Sequence, residues 1–94
     1  MADAFEDRLE RSYQSISKKY ADRVEVPGKR QFVGMDAYAE VMGADVDMVL
    51  LCTPPGFRPL QFEVAVDAGK LVFMEKPVAV DVPGGRRGMA ANEK

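Results

Sequence analysis

Apolar side chains at Phe5, Leu9, Tyr13, Ile16 and Tyr20 recur at steps of four and three, the spacing that lines one face of an α-helix. Arg8, Glu10, Arg11, Gln14 and Lys18 fall between them as the wet side. Glu6 and Asp7 open the segment and Lys18, Lys19 and Arg23 close it, each sign at the end of the macrodipole that favours it. Asp3 and Glu6 have the separation of a capping box, with Asp in place of Ser or Thr. The pattern predicts a helix over 4–21. Pro27-Gly28 then marks a turn, 30–33 a short strand closed by Gly34, and Asp36 the N-cap of a brief helix carrying Tyr38, Val41 and Met42, with Gly43 at its C′ position.

The strongest strand signal is 46–52. It is apolar almost throughout instead of alternating, which predicts burial on both faces, as in a parallel sheet. Thr53-Pro54-Pro55-Gly56 can neither extend that strand nor begin a helix smoothly and reads as a restricted loop. Pro59 suits a first helical turn, and the apolar segment that follows ends at Gly69, a helix to be buried between a sheet and another layer. Residues 71–74 form the next strand, and Glu75-Lys76-Pro77 leaves it. Asp81-Val82-Pro83-Gly84-Gly85 reads as a turn before a weak final helical stretch. Helices alternating with strands predict right-handed crossovers and a parallel, Rossmann-like α/β sheet with helices on both faces.

Composition narrows the chemistry. The 94 residues contain no His, which removes imidazole general bases, His triads and His metal sites. One cysteine, Cys52, excludes an internal disulfide and a Cys-cluster zinc site, and no metal site is expected. In a buried strand it reads as a small hydrophobe and not as a nucleophile. A net charge of −2 gives no field to collect nucleic acid, and Lys29-Arg30 and Arg86-Arg87 are too sparse to change that. The first seven residues are acidic without the apolar core of a secretory signal, and the longest apolar run, 48–52, is too short for a bilayer. A cytoplasmic protein that engages neither nucleic acid nor membrane is the expectation.

Ligands of open parallel sheets bind at the carboxyl ends of the strands. The 53–57 loop and Glu75-Lys76-Pro77 both follow strands, and Asp3 stands before the first helix, where a preceding strand would end. Topology thus sends three polar clusters toward one edge. The run Asp45-Val46-Asp47-Met48-Val49-Leu50-Leu51-Cys52-Thr53-Pro54-Pro55, then Ala68-Gly69-Lys70-Leu71-Val72-Phe73-Met74-Glu75-Lys76-Pro77, resembles the N-terminal half of Gfo/Idh/MocA oxidoreductases, from about Asp3 to Ala91. The resemblance implies an NAD(P)-binding Rossmann domain that works with a substrate domain to move hydride to or from a sugar, cyclitol or related polyol. It places Thr53 and Pro54 beside the nicotinamide, Glu75 on the nicotinamide ribose, and Lys76 at the oxygen of the reacting carbon as the catalytic residue. Pro77 would follow a cis peptide bond that aims Lys76. Asp3 would accept from the adenosine ribose hydroxyls, favouring NAD over NADP because a carboxylate repels a 2′-phosphate.

Plainer readings stand beside these. Asp3 equally suits a helix cap, Glu75 and Lys76 an exposed ion pair, and Arg58 a cover for its loop or a contact to a substrate hydroxyl. Gly84-Gly85-Arg86-Arg87-Gly88 follows no strand and lacks the G-x-G-x-x-G spacing of a phosphate loop, so it reads as a turn. That fingerprint lies ~20 residues before the ribose acid, and Asp3 leaves no room for it. The resemblance therefore implies a domain truncated at both ends, spanning 1–94 without its first βα unit, most of its second strand, or the substrate domain. Such a chain is expected to bind NAD weakly and not to catalyse alone. Leu71 stands where relatives commonly carry His, and Gly85 and Gly88 where they carry bulkier residues. The alternatives are a piece of a complete dehydrogenase from a misread gene, and a noncatalytic interaction module that self-associates through an open sheet edge.

Overall fold

A computed structural model describes all residues from Met1 to Lys94, and they form two compact units, Met1–Ala44 and Asp45–Lys94. In the first unit, strand β1 (Ala2–Asp3) leads into helix α1 (Glu6–Lys19). Two 3-10 turns, at Ala21–Arg23 and Gly28–Arg30, return the chain to strand β2 (Phe32–Val33), and helix α2 (Ala37–Met42) follows. β1 and β2 pair in parallel, Ala2 against Phe32 and Asp3 against Val33. The Met1 ammonium donates to the Arg30 carbonyl at 2.9 Å, and Gly34 N–H donates to Asp3 O at 3.0 Å. Gly34 holds φ at 127°, a region closed to residues with a Cβ, so glycine is required to turn out of β2.

Helix α1 is two residues shorter at each end than its pattern predicts, and its apolar face is only partly used. Leu9 is buried, whereas Phe5, Ile16 and Tyr20 stay exposed. Two-residue strands offer little surface for a 14-residue helix to cover. The Arg8 and Lys19 side chains instead lie over the Phe5 and Tyr20 rings, 5.5 and 5.2 Å from their centroids. The predicted strand over 30–33 shortens to Phe32–Val33 because a 3-10 turn takes Arg30. Asp36 occupies the N-cap of α2 without a side-chain bond, and Gly43 is its C-cap at φ −80° and not a left-handed C′ residue.

The second unit is a βαβα arrangement: strand β3 (Met48–Leu51), helix α3 (Arg58–Asp67), strand β4 (Leu71–Met74) and helix α4 (Val82–Asn92). Helix α3 packs against both strands and against α4. It ends as the sequence predicts: Gly69 at φ 71° lets its own N–H reach Val66 O and the next N–H reach Ala65 O, closing a Schellman motif. β3 does not follow expectation. Val49 and Leu51 are each 5% exposed, but Met48 is 50% and Leu50 66%. In β4, Leu71 and Phe73 are likewise exposed. The alternation follows from strand geometry, and α3 covers only the Val49–Leu51 side. Cys52 lies past the strand end and is exposed, so its reading as a buried residue is overturned. No helix is long and apolar enough to cross a membrane.

The expected turn at 81–85 is the start of α4. Asp81 caps it, its Oδ1 accepting from Gly84 N–H at 2.7 Å, and Pro83 sits in the first turn, where a missing N–H costs nothing. An Arg87–Glu63 pair ties α4 to α3, and Lys94, just beyond α4, pairs with Asp67 at the end of α3. The three glycines of α4 are not equivalent. A Cβ on Gly84 would lie 2.8 Å from Asp81 Oδ1 and 3.1 Å from Pro59 Cγ, whereas one on Gly85 or Gly88 would meet nothing within 4 Å. Gly85→Ala and Gly88→Ala should each stabilise the chain by about 0.4–1 kcal/mol in urea titrations followed by circular dichroism, and Gly84→Ala should destabilise it.

Candidate functional site

β3 and β4 run parallel and in register, from Met48 against Leu71 to Leu51 against Met74. The ladder continues one residue further at each end, through Leu71 N–H to Asp47 O at 3.0 Å and Glu75 N–H to Leu51 O at 3.2 Å. Both strands therefore release their chains at the same edge. Thr53 and Pro54 leave from one, and Glu75, Lys76 and Pro77 from its neighbour. Five of the six residues singled out in the sequence are brought to that edge. Asp3, the sixth, belongs to the first unit.

The first turn of α3 braces both loops. Gln61 is 7% exposed, and its Oε1 accepts a hydrogen bond from the Thr53 hydroxyl. Arg58 is 5% exposed, and its Nη1 donates to Glu75 O and to Pro77 O, each at 2.7 Å. Arg58 therefore neither covers its own loop nor stands ready for a substrate hydroxyl. As the first residue of α3 it turns inward and reaches the neighbouring strand's exit. Sequence reasoning also missed Gln61. The available signal was the 3- and 4-residue spacing of Arg58, Gln61 and Ala65, which are all buried on one face of α3.

Glu75, Lys76 and Pro77 are exposed, and the Lys76–Pro77 peptide bond is cis, as the family resemblance implies. Glu75 and Lys76 do not form the ion pair that the plainer reading expects. The Glu75 carboxylate folds back instead, Oε2 accepting from the Lys76 backbone N–H at 3.2 Å, and the Lys76 ammonium enters no salt bridge. One Glu75 carboxylate oxygen and the Lys76 ammonium thus remain on adjacent exposed residues as an acceptor and a donor. In the first unit Asp3 ends β1 half-buried, Oδ1 accepting from Phe5 N–H at 2.9 Å. It is not the cap of α1, whose N-cap is Phe5 with no side-chain bond, so the capping box does not form. Asp7, Arg8, Arg11 and Ser12 surround it in a shallow polar hollow.

Comparison with known proteins extends this geometry. The profile of the Gfo/Idh/MocA family, described as an oxidoreductase family with an NAD-binding Rossmann fold, matches residues 5–94. Solved structures of scyllo-inositol dehydrogenase from Lactobacillus casei share the fold. Two structures of the apo enzyme align with TM-scores of 0.71 and 0.70 at 24% identity, and one with bound NAD(H) and scyllo-inositol aligns with 0.70 at 25%. Each alignment covers 98% of this chain and 24% of the dehydrogenase, so the chain spans about a quarter of the length of these relatives. No curated relative matches the sequence.

The Thr53–Gln61 brace can be tested in isolation. Thr53→Val leaves a buried Gln61 acceptor unsatisfied and should cost about 1–3 kcal/mol, while adding Gln61→Leu removes the orphaned group and should recover most of the loss. Urea titrations of the two single variants and the double variant measure both quantities.

Proposed function

The chain belongs to the Gfo/Idh/MocA oxidoreductase family, with its NAD-binding Rossmann fold, and from that premise we propose that it supplies the nicotinamide-side part of an NAD site in a dehydrogenase of a polyol, cyclitol or sugar. The observation that supports this most directly is the parallel, in-register pairing of β3 and β4, with Thr53-Pro54 and Glu75-Lys76-Pro77 leaving from one edge. The donor set suits the cofactor. The outward Glu75 oxygen can accept from a ribose hydroxyl, and the unpaired Lys76 ammonium can donate to the oxygen of the carbon that gains or loses hydride. Lys76 in that place stabilises developing negative charge or passes a proton. Thr53 and Pro54 line the nicotinamide, its neighbour Pro77 closes the loop, and NAD, when bound, is the hydride acceptor or donor. Asp3 has one carboxylate oxygen tied to Phe5 N–H and one for the vicinal hydroxyls of the adenosine ribose, which favours NAD over NADP.

The 94 residues hold no G-x-G-x-x-G turn to present backbone N–H groups to a pyrophosphate. Residues 1–94 act as one partial cofactor domain on this reading, and full dehydrogenase activity requires a substrate domain. NAD titrated into the ¹⁵N-labelled chain should shift the Thr53, Glu75, Lys76 and Val78 amide signals with half-saturation at about 1 mM or above, a binding free energy of about 4 kcal/mol or less. Saturation in the micromolar range would overturn the weak-binding part, and unshifted loop signals at about 10 mM NAD would overturn the site.

The exposed face of the β3–β4 sheet favours a second reading. Met48 opposes Leu71 and Leu50 opposes Phe73 across the ladder, a four-residue apolar patch beside an unpaired strand edge. On that reading the chain self-associates through this sheet. Sedimentation velocity should then show a concentration-dependent oligomer that Leu50→Lys disperses; an oligomer with no response to NAD would favour an interaction module over a cofactor domain.

A further inference from the structure

We propose that Arg58 is the positioning residue of the Glu75-Lys76-Pro77 loop, a buried clamp that sets where Lys76 stands. The inference rests on the reading of Lys76 as the residue that meets the reacting oxygen. Nη1 of Arg58 donates to the carbonyl of the residue before Lys76 and to that of the residue after it, at 2.7 Å each. A single nitrogen with two hydrogens thus holds the main chain on both sides of the one side chain that carries the proposed chemistry.

Stability alone gives a poor account of this arginine. It is 5% exposed, no carboxylate meets it, and its Nε is buried without a partner. Burying a cation is expensive, and an orphaned N–H adds to the cost. Apolar residues of similar volume commonly replace buried charges at no loss of stability. What an apolar side chain cannot provide is a charge-assisted grip on two chosen carbonyls. The grip is needed on the far side of Lys76 in particular. Before Lys76, the ladder bond from Glu75 N–H to Leu51 O already fixes the chain. Beyond it, Pro77 has no N–H to donate, and its carbonyl is fixed by Arg58.

The test reads the loop directly and needs no cofactor. In the wild-type chain, ¹⁵N relaxation should give Lys76 and Val78 the order parameters of rigid backbone, about 0.85; in Arg58→Met they should fall below about 0.6. The β4 amides and the helical circular dichroism should be unchanged in that variant. Arg58→Lys, which keeps the charge and the donors, should restore most of the lost order. Unchanged order at Lys76 and Val78 in Arg58→Met would overturn the proposal, as would a loss spread evenly over α3, β4 and α4. Should Arg58→Met fail to fold, scalar couplings from Arg58 Nη1 to the Glu75 and Pro77 carbonyl carbons in the labelled wild-type chain decide the matter: both present support the clamp, and their absence overturns it. If NAD fails to shift the loop signals of the wild-type chain, the proposed function falls while these comparisons still judge Arg58.

Discussion

The parallel pairing of β3 with β4 is the constraint on which the site depends. Had the two strands run antiparallel, Thr53 and Lys76 would have emerged from opposite ends of the sheet, and no arrangement of side chains would have gathered them. In register and parallel, four pairs from Met48–Leu71 to Leu51–Met74 deliver both loops to one edge. Parallel strands need a long crossover, and helix α3 is that crossover. The same ten-residue helix that makes the parallel pairing possible therefore also begins beside both loops, and that is where its buried polar residues lie.

This coupling explains why α3 carries Arg58 and Gln61 inside the unit instead of two more aliphatic side chains. Its remaining buried positions, Pro59 and Ala65, are apolar. Each buried polar group takes a partner from a loop: Gln61 receives the Thr53 hydroxyl, and Arg58 holds Glu75 O and Pro77 O. Hydrophobic contact is not directional and would let either loop slide. Hydrogen bonds to chosen atoms in a low dielectric do not, and an unmade one is costly there. Core polarity at the top of α3 thus exchanges some stability for fixed loop geometry at the carboxyl end of the β3–β4 sheet.

Much of this was legible in the sequence because it rests on local signals. Periodicity predicts α1, the Asp36 and Gly43 signals α2, and Pro59 the start of α3, and the strand expected over 71–74 matches β4 to the residue. Gly69 marked the end of α3, and the Thr-Pro and Glu-Lys-Pro motifs pointed to the sheet edge. What was misread depended on tertiary partners. Arg58, an isolated cation before a proline, gives no local hint that two carbonyls seventeen and nineteen residues away will bury it. The glycines of α4 suggested a turn on propensity, but the Asp81 cap and the Arg87–Glu63 and Lys94–Asp67 pairs support a helix that propensity disfavours. Asp3 is a local exception: it matches a capping box by spacing, but the helix starts later, Phe5 holds the N-cap position, and the Asp3 carboxylate accepts from Phe5 N–H ahead of the helix.

The misreading of β3 is instructive in a different way. The almost wholly apolar run over 46–52 predicts cover on both faces, and the strand alternates between exposed and buried positions. A strand meant for one wet face is normally written with polar residues on that face. Met48, Leu50, Leu71 and Phe73 are instead large and apolar. Full burial of such a side chain contributes about 1.5–3 kcal/mol, so four left half-exposed forgo several kcal/mol in total, a sizeable share of a stability that is ordinarily about 5–15 kcal/mol. The pattern of β3 and β4 is thus that of a sheet written for cover on its second side, whether by further residues of a longer protein or by another copy of this chain. The same cover would suppress strand-edge association and stiffen the ladder whose end carries Glu75 and Lys76, so the completeness of the sheet and the order of the site are one problem and not two.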